Sequence, residues 1–255
     1  MKKKVLIVSH FMEIGGAERA RLGLLSGFDY DEYEVSLFLF RHEGDLLPRI
    51  PKEVNLLPVI SQYATLACPI SSVIHDKHFL LAASRMIGKC SAKLYNVIHH
   101  YGKNSQVEIE YSHKFTKWLM PNITPEVTYD LAISFLTPHY FVSEKVKAKE
   151  KVAWIHTDYS FIKVDVKSEM RMWQQYNHIV AISEACGESF VRCFPSLQHK
   201  VVKIENLLAV NFLREQSRMH VSEILKKTMK LFYYLLGDFV LLKILIIFRT
   251  FADVY

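Results

Sequence analysis

Short apolar runs alternate with stretches of helical periodicity along most of this chain. The apolar runs predict strands at residues 5–8, 34–40, 54–58, 130–135, 151–156, 178–182 and 200–204. The stretches between them predict helices at 17–26, 80–101, 138–146 and 184–194, the last capped by Ser183. Strands that alternate with helices are typical of βα units. The pattern therefore predicts an α/β fold, a Rossmann-like parallel sheet with helices on both faces.

The regular pattern is interrupted once and stops well before the last residue. Residues 103–125 predict a mixture of helix and loop, which we interpret as a variable insert. We expect a single Rossmann-like domain over residues 1–211, a connecting helix over 212–230 and an apolar tail over 231–255.

The charge of the chain is basic but dispersed. Of its 255 residues, 32 are Lys or Arg and 26 are Asp or Glu, which gives a net charge of +6. No arginine-rich stripe with interleaved aromatic residues occurs, so binding to nucleic acid is not expected. Attraction to an anionic membrane surface or to a phosphorylated substrate remains open.

The cysteines and the N-terminus indicate a cytoplasmic protein. Cys68, Cys90, Cys186 and Cys193 show neither CxxC pairing nor zinc spacing, so we expect reduced thiols and no bound metal. The first apolar run is only as long as a strand, and no small-residue cleavage site follows it, so no secretory signal is predicted. The expected location is the cytoplasm, and contact with the inner face of the membrane is left open.

A glycine turn follows the first strand, within the sequence KVLIVSHFMEIGGAER. Gly15 and Gly16 remove two side chains where the backbone must turn sharply. Ala17 and Glu18 then open a helix, whose free N–H groups and dipole favour an anion. This is the chemistry of a phosphate or sugar-phosphate cleft. A tight turn between strand and helix, with no ligand, is the alternative.

Polar residues also follow other predicted strands, and in open α/β sheets ligands collect at the carboxyl ends of the strands. His156 ends one strand, and Asp158 comes two residues later. Glu184 opens the helix after another strand. Structural roles are the alternatives: His156 as a cap on its strand, Asp158 as a group that orients His156, and Glu184 as a charge that favours its helix N-terminus. For residues 41–44 a solvated turn is the better interpretation.

The order of four segments resembles the N-terminal half of the family 4 glycosyltransferases, over residues 3–211: GGAER, VAWIHTDYS, IVAISEACGESF and VVKIEN. The resemblance implies the GT-B architecture, in which two Rossmann-like domains face each other across a cleft. It also implies transfer of a sugar, with retention of configuration, from a nucleotide-sugar donor. The acceptors implied are polysaccharides or lipid-linked glycans of the cell surface, and neither a metal nor a cofactor is needed.

The same resemblance assigns roles to individual residues. Gly15 and Gly16 match the glycine loop that lets the backbone approach the donor phosphate or the transferred sugar. His156 matches a histidine near the transferred sugar and is the expected catalytic residue. Three carboxylates are expected to contribute to substrate binding: Glu18, Asp158 and Glu184.

The family holds its donor with residues of a second domain, namely an Arg, a Lys and a Glu-x7-Glu pair. That pair spacing occurs here once, from Glu215 to Glu223, where a chance match on a solvated helix is the better explanation. We therefore expect the donor-binding half to be missing, the chain to be inactive alone, and a separately encoded C-terminal domain to be a partner.

The tail has three interpretations. Residues 231–251, LFYYLLGDFVLLKILIIFRTF, approach the length of a membrane anchor, although Gly237, Asp238 and Lys243 interrupt them. Alternatively the tail is translated out of frame, because codons compatible with residues 237–253, shifted by one frame, resemble the opening of the family's second domain. The third interpretation is that the chain is a genuine short variant of the family.

Two other functions compete with the glycosyltransferase half. One is a single-domain module that binds sugars or anionic lipids without catalysis. The other is a membrane-associated scaffold, a function that the apolar tail and the basic net charge would support. Turnover of nucleotide sugars would separate an enzyme from both.

Deletion of residues 228–255 is expected to raise the solubility of the expressed protein, because an exposed β-prone apolar run promotes aggregation. The soluble fraction after expression measures this, with a chain of equal length that carries a Gly/Ser tail as the control. An unchanged or lower soluble fraction after deletion counts against an out-of-frame tail.

Overall fold

Seven parallel strands form one sheet in the part of the chain that the computed structural model describes, residues 2–207 except Thr137. The strands are β1 (Lys3–Ser9), β2 (Tyr33–Leu39), β3 (Asn55–Leu56), β4 (Tyr129–Ser134), β5 (Ala148–Ile155), β6 (His178–Ala181) and β7 (Val201–Lys203). Their order across the sheet is β3-β2-β1-β4-β5-β6-β7. The predicted α/β, Rossmann-like parallel sheet is therefore confirmed.

Helices connect successive strands of the described chain except β2 and β3, between which there is only a 3₁₀ turn at Leu47–Arg49. They are α1 (Gly16–Ser26), α2 (Ser61–Ala64), α3 (Ile70–His75), α4 (Phe79–Ile98), α5 (Val107–Thr116), α6 (Tyr140–Lys145), α7 (Val166–Trp173) and α8 (Glu184–Cys193). Two of them have side-chain caps. Ser183 accepts a hydrogen bond from the Cys186 N–H at 3.2 Å, as predicted, and Asp165 accepts one from the Ser168 N–H at 3.1 Å.

The centre of the sheet is β1, which pairs with β2 on one side and β4 on the other. Its residues 5–8 are almost fully buried, because helices cover both faces of the sheet, which explains the unbroken apolar run. The chain leaves β1 toward β2 and β3 and then returns to β4. The carboxyl ends of β1 and β4 therefore flank the point where the strand order reverses, which is where open α/β sheets bind ligands.

The segment between β3 and β4 contains two short helices that the sequence did not predict, α2 and α3. Residues 103–125 contain α5, a 3₁₀ turn at Lys117–Leu119 and loop, which agrees with the predicted mixture of helix and loop. The strand expected at 54–58 is only Asn55–Leu56, an edge strand paired with β2 alone, and Pro58 has no N–H with which to extend it. The helix α7 was not predicted from the sequence.

The predictions for the C-terminal part fall outside the described residues. These are the connecting helix at 212–230, the pair Glu215 and Glu223, and the tail at 231–255. None of the helices within residues 2–207 is long and apolar enough to cross a membrane.

Candidate substrate site at the carboxyl edge of the sheet

The glycine turn joins β1 to α1, and Gly15 is the N-cap of that helix. Gly15 is extended and has no side chain with which to cap the first N–H groups of α1. A Cβ on Gly15 would lie 2.2 Å from Glu18 Oε2, so the Glu18 side chain folds back over the turn. A Cβ on Gly16 would face open space. The turn therefore presents backbone N–H groups at an accessible edge, beside one carboxylate.

A second glycine, Gly44, fixes the path of this turn from the neighbouring loop. Its φ is +106°, and a Cβ there would lie 2.2 Å from the Met12 carbonyl carbon. Two hydrogen bonds join the loops: the Met12 N–H donates to the Glu43 carbonyl, and the Leu46 N–H donates to the Met12 carbonyl, each at 2.8 Å. The loop after β2 is thus pressed backbone to backbone against the loop after β1.

Arg21 is a fully buried cation beneath the glycine turn. Its guanidinium donates to Ser9 Oγ and the Phe11 carbonyl, and it contacts Met12 Sδ at 3.0 and 3.2 Å. No carboxylate within residues 2–207 forms an ion pair with it. Burial lowers the pKa of Arg21 to about 10, partly opposed by the charge of Glu18, so the side chain stays protonated at neutral pH. A positive charge without an ion-pair partner thus supports the turn.

His156 directly follows β5, and its ring packs against Phe135 with 4.8 Å between ring centroids. The Arg21 guanidinium lies 5.9 Å from the centroid of the same Phe135 ring. The pKa of His156 is lowered to about 4, chiefly by burial; a hydrogen bond with the Phe135 backbone opposes the shift, and the positive charge of Arg21 contributes to it. His156 is therefore neutral at pH 7. Its Nε2 is buried and has no hydrogen-bond partner.

A cavity of about 170 Å³ lies beside His156, between the carboxyl end of β5 and the helices α5 and α7. Its wall combines the aromatic side chains of Trp154, Tyr140 and Trp173 with two carboxyl groups, Glu110 and Glu169. The volume corresponds to several water molecules. Aromatic walls with a few polar groups are typical of small-ligand sites.

Three residues of this wall carry buried polar atoms without a partner. These atoms are Glu110 Oε2, Trp154 Nε1 and His156 Nε2, three of the five such side-chain atoms found among the described residues. An unpartnered buried polar group is costly, because it has lost water without gaining a hydrogen bond. Their concentration around one cavity indicates that a polar molecule completes the site.

The two carboxyl groups of the wall are held by hydroxyl and indole donors. Glu169 accepts hydrogen bonds from Tyr159 Oη at 3.0 Å and Trp173 Nε1 at 3.1 Å. Glu110 accepts one from Ser168 Oγ at 2.7 Å and another from Tyr140 Oη. Burial raises the pKa of Glu110 and raises that of Glu169 to about 7. Both carboxyl groups are thus shifted toward the protonated form.

Sequence reasoning missed both of these glutamates. Glu110 lies in the insert, two residues after Glu108, which is a half-exposed partner of Lys89 at 3.1 Å. Nothing in the local pattern distinguishes the two. Glu169 was detectable in principle, because Asp165 and Ser168 have the spacing of a helix N-cap that places Glu169 in the first turn.

The structure separates the other two predicted rim residues from the cavity. The carboxylate of Asp158 accepts a hydrogen bond from the Ser160 N–H at 2.8 Å, and such bonds lower the pKa of Asp158. Asp158 therefore caps its own turn rather than orienting His156. Glu184 is exposed at the start of α8 and lines a different, shallow hollow with Ser183 and Lys203. Their roles in substrate binding stay predictions.

A metal centre has no support in the described part of the chain, where no group of three or more His, Cys, Asp or Glu is arranged to hold an ion.

Comparison with known proteins gives only distant similarity. No protein-family model matches the sequence, and no curated protein matches it. Three solved structures of Anabaena HepE are similar at 14% identity: the complexes with UDP-glucose and with UDP and glucose, both at a TM-score of 0.41, and the complex with UDP, at 0.39. They cover 82–83% of this chain, which spans 45–46% of theirs, less than half of their length. Such TM-scores establish no common function, and membership of family 4 stays a prediction.

Replacement of Gly44 by Ala is expected to lower the free energy of unfolding by about 1–3 kcal/mol, because the residue must keep a positive φ and its Cβ would overlap the Met12 backbone. Urea unfolding measures the change. Gly102→Ala is the matched control, since a Cβ there meets nothing within 4 Å. Equal effects of the two substitutions would show that Gly44 does not fix the turn.

Replacement of Glu169 by Gln is expected to change how stability depends on pH. The pKa of Glu169 is about 7 in the folded state and 4.5 without burial. Its contribution to stability is therefore complete below pH 4.5 and is lost as the pH rises to 7. Relative to the unsubstituted protein, Glu169→Gln should gain up to about 3 kcal/mol in unfolding free energy between pH 4.5 and pH 8.

Urea unfolding at pH 5 and pH 8 tests this, and the buried histidines cancel in the difference between the two proteins. Glu108→Gln is the exposed control for loss of a carboxylate. A Glu169→Gln difference that is the same at both pH values would contradict the raised pKa.

Proposed function

We propose that this chain is the acceptor-side half of a retaining glycosyltransferase, formed by residues 1–211 and completed by a second, donor-binding domain. The donor is a nucleotide sugar, and the acceptor is a polysaccharide or lipid-linked glycan of the cell surface. The observation that carries the proposal is His156 with its free, buried Nε2, at the carboxyl end of β5 and beside the cavity.

Glycosyl transfer makes three demands on a site. The bond between the sugar and the donor phosphate breaks while a bond to the acceptor oxygen forms, so negative charge on the leaving phosphate must be stabilised. The positive charge that develops on the sugar must be tolerated, and the proton of the acceptor hydroxyl must be accepted by a base or by the leaving phosphate.

The neutral charge state of His156 suits the second demand, which is to tolerate the positive charge that develops on the sugar. With a pKa of about 4 the ring is neutral at pH 7, so it adds no positive charge next to the developing cation. Its Nε2 lone pair accepts a hydrogen bond from a sugar hydroxyl, which would supply the partner that the atom lacks. His156 thus binds and orients the sugar without competing with its charge.

The glycine turn meets part of the first demand, which is to stabilise negative charge on the leaving phosphate. The N–H groups of α1 and the buried charge of Arg21 favour an anion at this edge, and the Glu18 carboxylate, which folds back over the turn, opposes them. Arg21 lies too deep to touch a ligand, so it acts through space and through the turn that it holds. The remaining charge stabilisation is assigned to the second domain.

The cavity suits an uncharged ring that carries hydroxyl groups. A hydroxyl both donates and accepts, and the wall offers an indole N–H on Trp154 and oxygen acceptors on Glu110. Aromatic faces such as Trp173 pack against the apolar face of a sugar ring. These features support a sugar as the occupant rather than a flat, wholly apolar molecule.

Replacement of His156 by Ala is expected to reduce transfer by about a hundredfold or more, because the hydrogen bond at the reacting sugar is lost. The measurement is the rate of sugar transfer from a panel of nucleotide sugars by the chain together with a family 4 C-terminal domain supplied separately. His75→Ala is the matched control, since His75 is highly exposed.

Two outcomes would contradict the proposal. Robust turnover by this chain without any second domain would show that it is not a half-site. A His156→Ala rate equal to that of His75→Ala would remove His156 from the reaction. Saturation-transfer NMR on the chain alone tests the binding step, and monosaccharide binding should weaken in His156→Ala.

A further inference from the structure

A second cavity adjoins the cavity of the candidate site along the carboxyl edge of the sheet. Its volume is about 510 Å³, and we call it the Arg85 cavity. Two residues of α5, Ile109 and His113, line both cavities, so the two are direct neighbours. The sheet contributes His10, which directly follows β1, and Phe40, which directly follows β2. The Arg85 cavity therefore extends the candidate site toward the carboxyl ends of β1 and β2.

Arg85 of α4 brings a cation to this cavity, and one of its three nitrogens holds it in place. Its Nη1 donates hydrogen bonds to the Thr65 and Cys68 carbonyls, each at 2.8 Å. Its Nε is buried without a hydrogen-bond partner, and Nη2 has none among the described residues. Nε and Nη2 form the edge of the planar guanidinium that binds two oxygens of a carboxylate or phosphate at once.

The charge of Arg85 is not balanced by the protein. Within residues 2–207 it forms no ion pair. Among the described residues that line the cavity only Glu108 is acidic, and its carboxylate pairs with Lys89 at 3.1 Å. The pKa of His113 is lowered to about 3, chiefly by burial, so this ring adds no charge at pH 7. The positive charge of Arg85 is therefore left for a ligand.

The surroundings of Arg85 favour an anion over water. Burial lowers the pKa of Arg85, because the charged side chain has lost part of its hydration. Phe40, Leu66 and Ile109 give the cavity apolar walls, which strengthen the attraction between the guanidinium and an anion. The hydroxyl of Ser112 lines the same cavity and can donate a further hydrogen bond to an oxygen.

We propose that the Arg85 cavity is an anion subsite, which binds a phosphate or carboxylate group of the acceptor. The guanidinium donates to two oxygens of that group, which recovers part of the free energy lost when its charge left water. The anion subsite follows from the cavity alone, whereas its assignment to the acceptor rests on the proposed function. The acceptor is then a glycan that carries an acidic group close to its reacting hydroxyl, such as a sugar phosphate or a uronic acid.

Titration of the full chain with inorganic phosphate tests the subsite. NMR of the arginine Nε–H groups observes Arg85 directly, and phosphate should shift its signal until the site is saturated. Chloride at equal ionic strength is the control for screening, and it should leave the signal in place. Acetate is the second probe, because it presents the planar oxygen pair of a carboxylate. The tighter of the two probes assigns the subsite to phosphate or to carboxylate.

Substitutions at two positions connect the binding to the cavity. Arg85→Gln should weaken binding of the tighter probe by about tenfold or more in calorimetry, because charge-assisted hydrogen bonds are lost. Since that variant also loses the bonds to two carbonyls, Ser112→Asp is the second test: it keeps Arg85 and places a competing carboxylate in the cavity. Arg171→Gln is the matched control, because Arg171 is exposed on α7 and lines neither cavity. Circular dichroism checks that each variant keeps its fold.

Transfer assays test the assignment to the acceptor. The chain, together with a separately supplied C-terminal domain, should have a KM about tenfold lower for acceptors with an acidic group beside the reacting hydroxyl than for their neutral counterparts. Arg85→Gln and Ser112→Asp should lose that preference, and Arg171→Gln should keep it.

Two results would overturn the proposal. Absence of phosphate and acetate binding, or equal binding by the Arg85→Gln and Ser112→Asp variants, would remove the anion subsite. Equal KM values for acidic and neutral acceptors would remove its assignment to the acceptor. Anion binding that depends on Arg85, in a chain that transfers no sugar even with the second domain, would confirm the subsite and contradict the proposed function instead.

Discussion

The carboxyl edge of the sheet depends on the buried charge of Arg21. A buried cation is normally paired with a carboxylate, and here its partners are the hydroxyl, carbonyl and sulfur atoms of residues 9–12. The free energy of burying the charge is therefore recovered only if the loop after β1 follows one path. Gly44 enforces the same path from the other side, because the Met12 backbone occupies the space of its missing side chain. A tight turn thus becomes a rigid one.

The protonation states of His156 and Glu169 also follow from burial. His156 is neutral because its ring is desolvated and Arg21 adds positive potential, and Glu169 tends toward its neutral form because its carboxyl group is desolvated. The cavity wall is therefore polar with little net charge, while the glycine turn places the N–H groups of α1 and the buried Arg21 charge beside the Glu18 carboxylate. A nucleotide sugar has an anionic end and a neutral, hydroxyl-rich end. It therefore matches a site that combines a turn with free N–H groups and a cavity with little net charge.

The sequence predicts the parts of this arrangement that local patterns determine. The strands, the glycine turn and the Ser183 cap depend on neighbouring residues, so apolar runs and cap spacing are enough to find them. Gly44 and Glu110 owe their roles to contacts between segments distant along the chain, and Arg21 owes its role to the way α1 packs back onto residues 9–12. An arginine on α1 has the sequence context of a solvated residue, and only the packing of α5 makes Glu110 differ from Glu108.

The segment between β3 and β4 links the site to the outer surface through one pair of helices, α4 and α5. On its inner side α5 supplies Glu110 to the cavity, and on the other side it packs against α4 through Ala92 and Gly88. Because that packing is close, a displacement of α4 must also move α5 and its carboxyl group.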